Sequence, residues 1–312
     1  MYSPNKLDEM IGLEKIKEQI RISVAAALAE DRPMYHVLMH GPPGTGKTTM
    51  ASIIANMMNA NLEYTVGNGL RVKRTVMNLN YRDVVFIDEI HRVRLEEEEK
   101  MYAPMLDFVY IENEGLYGTT LEIPPFTLIG ATTSVGSLSK PLVDRFPLQF
   151  EFPFYTLEEL TQIVTQAAEK ENIKATEEAL IKLATASRDT PRLAVTLLNR
   201  ANEYRQYNNL PKIALDTVES VFELLNIYED GLTDLDKRYM ELLVLADRPL
   251  GLNAIAASLM INQKTVREVI EPFLLRKRYM IITSSGRTLT TKGYSQYKKW
   301  HEKENGGSRN GY

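Results

Sequence analysis

The chain contains no cysteine in 312 residues, which excludes a disulfide framework, a thiolate metal site and a cysteine nucleophile. It also lacks any stretch near the ~20 uninterrupted apolar residues needed to span a bilayer. Its first residues, Met1-Tyr2-Ser3-Pro4-Asn5-Lys6, do not show the basic-then-apolar order of a secretory signal. These absences point to a cytoplasmic protein with no membrane partner. What the chain does have is length and apolar content: 312 residues at 44% hydrophobic can bury cores for two or three domains.

The total charge of −4 hides an asymmetry. Residues 262–303 hold ten Lys/Arg against three Asp/Glu, a net of +7, which leaves −11 on the remainder. A cationic end on an acidic body suggests a polyanionic partner, although an ordinary solvated surface accounts for the same count.

The most informative run is Gly41-Pro42-Pro43-Gly44-Thr45-Gly46-Lys47-Thr48, which reads G-x-x-x-x-G-K-[ST]. Phosphate charge must be met at close range. Glycines let the backbone approach without a Cβ in the way, and successive N–H groups then form a concave anion site. Lys47 is placed to reach the β- and γ-phosphates and Thr48 to ligate Mg2+. A strand is expected over 36–39, and a helix opening at Thr49 adds its positive N-terminal end. A second signal is Asp83-Val84-Val85-Phe86-Ile87-Asp88-Glu89, an apolar run ending in two carboxylates. It reads as a buried parallel strand whose end emerges at the ligand crevice. Asp88 then holds the Mg2+ shell through water, and Glu89 orients or deprotonates the attacking water.

In chain order, a helix is expected over 13–30 and a second strand over 61–66. The trio Arg71, Lys73 and Arg74 fits a solvated loop better than a nucleic-acid contact. A helix over 91–110 opens with Glu96, Glu97, Glu98 and Glu99, which suit the helix dipole and need no ligand to explain them. His91 has no second histidine at ligand spacing and reads as a loop residue. A hairpin is expected between Val109 and Pro124. Phe126–Thr133 is another buried strand, ending in hydroxyls beside the γ-phosphate position; Thr133, in preference to Thr132, is the candidate there. Arg145 projects from a helix end, and 148–152 supply a last strand.

Beyond Tyr155 the pattern turns helical, starting with the capping box Thr156-Leu157-Glu158-Glu159 and continuing over 176–187, 191–206 and 214–226. Arg192 at a helix start opposes the dipole rule unless it faces an anion such as a nucleotide phosphate. Helices over 234–245, 252–260 and 263–277, then strands over 279–283 and 287–290, give the order of a winged helix-turn-helix. Lys264 and Arg267 would lie on its recognition helix and Arg287 on its wing, as DNA contacts.

These runs together resemble the RuvB family, AAA+ motors of Holliday-junction branch migration. The resemblance rests on His36-Val37-Leu38 before Gly41-Pro42-Pro43-Gly44, then Phe86-Ile87-Asp88-Glu89-Ile90-His91-Arg92. It continues through Pro124-Pro125-Phe126-Thr127-Leu128-Ile129-Gly130-Ala131-Thr132-Thr133, Asp144-Arg145-Phe146, Phe154-Tyr155-Thr156, Thr190-Pro191-Arg192 and Glu271-Pro272-Phe273-Leu274. It implies an α/β architecture: an AAA+ P-loop domain with a parallel sheet (1–153), a helical lid (154–229), a winged helix (230–303) and a disordered tail (304–312). It further implies ATP and Mg2+ as cofactors, with the loop from Gly41 through Thr49 on the phosphates. Thr133 becomes sensor 1, Pro191 and Arg192 the sensor 2 region, and Ile11 and Tyr155 the adenine pocket. Arg145 becomes an arginine finger acting in trans on the neighbouring subunit's ATP. The family forms hexameric rings on double-stranded and branched DNA, loaded by the junction-binding protein RuvA through the hairpin.

Departures from the family pattern are Ser134 and Val143 where it carries arginines, a shorter hairpin, and an arginine-poor wing, Thr283-Ser284-Ser285-Gly286-Arg287. Two other readings compete: a nucleotide-switched DNA-binding or loader ATPase that does not translocate, and a protein-remodelling module that ignores DNA.

Overall fold

A computed structural model describes the backbone of residues 2–114 and 117–307, and side chains outside 113–118 and 301–307. The chain separates into two bodies, Met1–Ile213 and Ala214–Tyr312.

The first body is built on a five-stranded sheet in the order β2-β3-β6-β1-β7, with every neighbouring pair parallel. Its strands are β1 (Val37–His40), β2 (Leu62–Val66), β3 (Val84–Asp88), β6 (Thr127–Thr132) and β7 (Leu148–Glu151). β3 and β6 are apolar on successive residues because helices cover both faces, the pattern a parallel sheet imposes. Alternation divides them: Val37, Met39, Val84, Phe86, Ile129 and Ala131 enter one core with α1 (Glu14–Ala29) and α2 (Lys47–Met57). Leu38, Val85, Ile87 and Leu128 enter the other, with α3 (Val72–Val76), α4 (Leu95–Asp107) and α5 (Lys140–Val143). Each fully buried aliphatic or phenyl side chain contributes ~1.5–3 kcal/mol, so these two layers fix where the strand ends stand.

Two expectations need correction here. The basic trio lies on and beside the short helix α3, not in an open loop: Arg71 caps it and Lys73 pairs with Glu112. The helix expected from His91 begins later, because Ile90–Arg92 forms a separate 3-10 turn before α4. The hairpin consists of β4 (Val109–Glu114) and β5 (Tyr117–Glu122), antiparallel from Val109↔Glu122 onward. Residues 115–116 at its tip lie outside the described residues.

Three helices, α6 (Leu157–Lys170), α7 (Glu177–Thr185) and α8 (Pro191–Tyr207), complete the first body. The capping box at Thr156 forms as expected: Glu159 N donates to Thr156 Oγ1 at 3.2 Å and Thr156 N donates to Glu159 Oε2 at 2.8 Å.

The second body opens with α9 (Leu215–Leu224), then α10 (Asp234–Leu245) and α11 (Leu252–Leu259). The single helix expected over 263–277 is interrupted. α12 (Gln263–Thr265) passes through a π turn, Val266–Ile270, into α13 (Glu271–Arg276). Pro272 explains the break, since it brings no N–H for the carbonyl four residues back and its ring crowds that turn. The wing is β8 (Met280–Thr283) paired antiparallel with β9 (Gly286–Leu289). A helix absent from the sequence reading, α14 (Thr291–Gly307), follows it and buries Trp300 beside Tyr228, Tyr239 and Leu243. That helix replaces the disordered tail expected from 304, up to Gly307; 308–312 lie outside the described residues.

Candidate functional site

The loop Gly41–Gly46 leaves the C-terminal end of β1 and opens α2 at Lys47. Gly41 has φ +139°, and a Cβ there would stand 2.2 Å from the carbonyl oxygen of Phe152, so only glycine fits. Gly44 (φ +80°) lies under the start of α8: Arg192 N donates to its carbonyl at 3.3 Å, and a Cβ would meet Arg192 Cβ at 3.0 Å. Close packing at this glycine thus brings Arg192 to the phosphate loop. Inside the loop, Thr45 Oγ1 donates to the Pro42 carbonyl at 2.9 Å, and Tyr155 Oη donates to the Thr45 carbonyl at 3.1 Å. The buried Lys47 ammonium donates to the carbonyls of Gly41 (2.9 Å) and Pro42 (2.7 Å). Burial holds its pKa down to about 8; Asp88 and Glu89 pull it up, and Arg192 pushes it down.

A cavity of about 320 Å3 lies over this loop, a size suited to a small-molecule ligand. Its wall includes Pro43, Gly44, Gly46, Lys47, Thr48 and Thr49 from the loop and α2, and Asp88, Glu89 and Thr133 from the ends of β3 and β6. Ile11, Tyr155, Pro191 and Arg192 join them. Gly41, Pro42 and Thr45 shape the loop from behind without lining the cavity. Four separate sequence motifs therefore meet around one space, because parallel strands deliver their C-terminal ends to the same edge.

The carboxylates are held differently. Asp88 accepts from the Glu89 N–H at 3.0 Å and from Tyr64 Oη at 3.3 Å, which fixes both its oxygens. Glu89 sits in the left-handed region (φ 51°, ψ 46°), turning its side chain off the strand line. Its Oε2 lies 3.3 Å from His91 Nε2 and 3.6 Å from Arg92 Nε. His91 Nδ1 is 3.0 Å from Thr132 Oγ1, which also accepts from Ser134 N at 3.0 Å. The Thr132 hydroxyl is thereby engaged, and Thr133, next along, lines the cavity.

His91 is thus a site residue that the sequence reading set aside. His91 touches Glu89 without lining the cavity; Tyr2, Ser3, Pro4, Glu9, Met10, Ile163, Gln166 and Val195 line it and were not anticipated. Ile163 and Gln166, one turn apart on α6, offered a helical-spacing clue.

Arg145 does not line the cavity. It lies just beyond α5, where its Nη1 donates to the Pro141 carbonyl at 2.6 Å and its guanidinium carbon stands 4.0 Å from the centre of the Tyr102 ring.

In the second body, Lys264 is exposed, 3.9 Å from Glu268 one turn on, and Arg267 is exposed on the π turn. Arg287, on β9 of the wing, has a partner within the second body. Its side chain is 15% exposed and pairs with the buried Glu271, Nε at 2.8 Å and Nη2 at 3.3 Å. Tyr239 Oη donates to the same carboxylate at 3.0 Å, and burial first, then Glu271, drives the Tyr239 pKa up. Two of its donor nitrogens are thus engaged by a buried carboxylate, a structural ion pair that the sequence did not show.

Comparison with known proteins adds to this geometry. Residues 2–152 match the family model for the Holliday junction DNA helicase RuvB P-loop domain. Residues 155–228 match the RuvB AAA lid domain and 229–298 the RuvB C-terminal winged helix domain. The Holliday junction branch migration complex subunit RuvB of Campylobacter fetus is 40% identical over 302 residues, covering 94% of this chain and 88% of that protein. The protein of the same name from a Nitratiruptor species is 41% identical over 304 residues, covering 95% and 91%. The solved structure of the Thermotoga maritima RuvB Holliday junction branch migration motor superposes with a TM-score of 0.84 at 37% identity, covering 95% of this chain and 97% of that one. With a shared phosphate site, three successive domain matches and relatives aligned along nearly the whole length, the chain belongs to the RuvB family.

Proposed function

We propose that the chain is the ATP-hydrolysing subunit of a ring motor, a hexamer, that translocates double-stranded DNA and drives Holliday-junction branch migration. The observation that carries this reading is the division of the site. The phosphate loop, Asp88, Glu89, Thr133 and Arg192 surround one cavity, while Arg145 stands off its wall on a separate helix end. A cation needed for phosphoryl transfer but held outside its own site is available to a neighbour's site. Hydrolysis then depends on assembly, and such fingers raise rates by ~10³–10⁵.

Within one site, the loop N–H groups and Lys47 bind the phosphates, and Ile11 and Tyr155 flank the base. Glu89 orients the attacking water or accepts its proton, and Thr133 fixes that water's position. The donor set at Thr48 and Asp88 suits Mg2+: one hydroxyl, one carboxylate, and no cluster of three acidic or histidine ligands among the described residues, as expected for an ion that keeps several waters. When bound, Mg2+ offsets charge on the β- and γ-phosphates. Lys264 and Arg267 supply phosphate contacts to DNA, and the β4–β5 hairpin is the candidate seat for a RuvA-like junction-binding partner. No helix among the described residues is long and apolar enough to cross a membrane.

The test compares ATP turnover on four-way junction, linear duplex and single-stranded DNA, with assemblies imaged from the same preparation. The reading expects rings and turnover stimulated by duplex and junction. Full turnover by solitary protomers, indifferent to DNA, would reject it.

A further inference from the structure

Arg145 does not rest on solvent; it rests on a small built platform. Its guanidinium lies 4.0 Å above the centre of the Tyr102 ring, and its Nη1 donates to the Pro141 carbonyl at 2.6 Å. Tyr102 is itself held, since its hydroxyl donates to Glu98 Oε1 at 2.8 Å. The Ser139 hydroxyl donates to the same oxygen, and Ser139 also caps α5, accepting from Leu142 N at 3.2 Å. Glu98 is buried, at 8% exposure, unlike Glu96 and Glu99 beside it. One carboxylate thus ties the ring on α4 to the cap of the helix that delivers Arg145.

This inference rests on the proposed role of Arg145 in a neighbour's site and deepens it. We propose that Tyr102, oriented by Glu98 and Ser139, is the positioning residue that preorganises Arg145 for transfer of its charge across the subunit boundary. A free arginine side chain samples many rotamers, and that freedom must be lost before it can meet a γ-phosphate. A ring face restrains the guanidinium without neutralising it, because the attraction is to the ring quadrupole and not to a counter-charge. A carboxylate in direct contact would have restrained it too, but would have spent the charge. The carboxylate here sits one residue removed, where it orients the ring.

The test uses full-length protein with junction DNA and three variants, Tyr102→Leu, Tyr102→Phe and Arg145→Ala. Tyr102→Leu removes the ring face; kcat for ATP should fall about tenfold, equivalent to ~1.4 kcal/mol of barrier, with KM and nucleotide affinity held. Tyr102→Phe keeps the face but loses the hydroxyl held by Glu98 and Ser139, and its rate should fall between those of Tyr102→Leu and the parent. Mixed with Lys47→Ala protomers, whose fingers are intact, Tyr102→Leu should regain turnover, since its own site is sound. Equal losses in the Leu and Phe variants, a rise in KM in place of a fall in kcat, or no recovery on mixing would each overturn the positioning role. So would normal turnover by Tyr102→Leu beside an inactive Arg145→Ala, which leaves the role of Arg145 standing. Undiminished turnover by Arg145→Ala itself would instead remove both.

Discussion

Replacing Arg287 with alanine should unfold the second body selectively. The wild-type pair joins a guanidinium to Glu271, a residue 2% exposed, through contacts of 2.8 and 3.3 Å, with Tyr239 donating at 3.0 Å. Without Arg287 the buried carboxylate loses its cation and keeps, among the described residues, the Tyr239 hydroxyl. Breaking a buried pair from one side costs ~3–5 kcal/mol, most of it the penalty on the partner left behind. With urea slopes of about 1–3 kcal/mol per molar, the midpoint should move down by at least ~1 M. The chain carries its own probe: Trp300 is the sole tryptophan, is 6% exposed, and lies 5.8 Å from Tyr228 in the second body's core. Tryptophan emission therefore reports this body alone, and far-UV circular dichroism reports the whole. Arg287→Met combined with Glu271→Leu should recover much of the loss, because neither buried charge remains. An unshifted Trp300 transition in Arg287→Ala, with reduced DNA affinity as the only change, would refute the stabilising role of the pair.

Glu89→Gln should bind ATP as the parent does while turnover falls roughly a hundredfold or more, as loss of a general base implies; unaltered turnover would remove Glu89 from the chemistry. His36 is buried between β1, α4 and β6: its Nδ1 accepts from Leu128 N at 2.9 Å and its Nε2 lies 3.0 Å from the Met105 carbonyl. Burial holds its pKa down to about 4 against an ordinary 6.5, so the unfolded chain takes up a proton first as pH falls. Its stabilisation is present above pH ~6.5 and lost towards pH ~4, by about 3 kcal/mol. His36→Asn, which keeps an acceptor for Leu128 N, should flatten that acid limb, and parallel limbs would count against it. Lys264→Ala with Arg267→Ala should lower the slope of log affinity against log salt by about 1.8, or ~0.9 per phosphate contact; an unchanged slope would take this helix out of the DNA interface.

The parts legible in the sequence are those whose chemistry is local. A phosphate loop needs its glycines and lysine in consecutive order, and a buried parallel strand needs a continuous apolar run. The loop at 41–48, β3, β6 and the capping box at Thr156 therefore stand as read. Partnership across the fold was not legible. Arg287 reads as a wing cation, and nothing near it in sequence shows that Glu271 faces it across the turn. Glu98 was hidden within four glutamates whose charge suits a helix start; which of them turns inward depends on the phase of α4 against α5. His91 reads as a loop residue by spacing, yet spacing says nothing of the Glu89 carboxylate folding back toward it. The π turn at Val266–Ile270 was foreshadowed by Pro272, which could have been weighed against one continuous helix. The segment from Tyr2 to Met10 on the cavity wall carries no periodicity, so only tertiary structure places it there.

The central claim is that ATP consumed at these shared sites moves DNA. The most direct measurement follows a mobile four-way junction, labelled on two arms, with the chain and a junction-binding partner protein. The account predicts that branch-point movement proceeds in ATP, stops in a non-hydrolysable analogue, and is lost in Arg145→Ala. A junction retained in ATP and released in ADP, with its branch point never displaced, would contradict it and mark the chain as a nucleotide-controlled clamp.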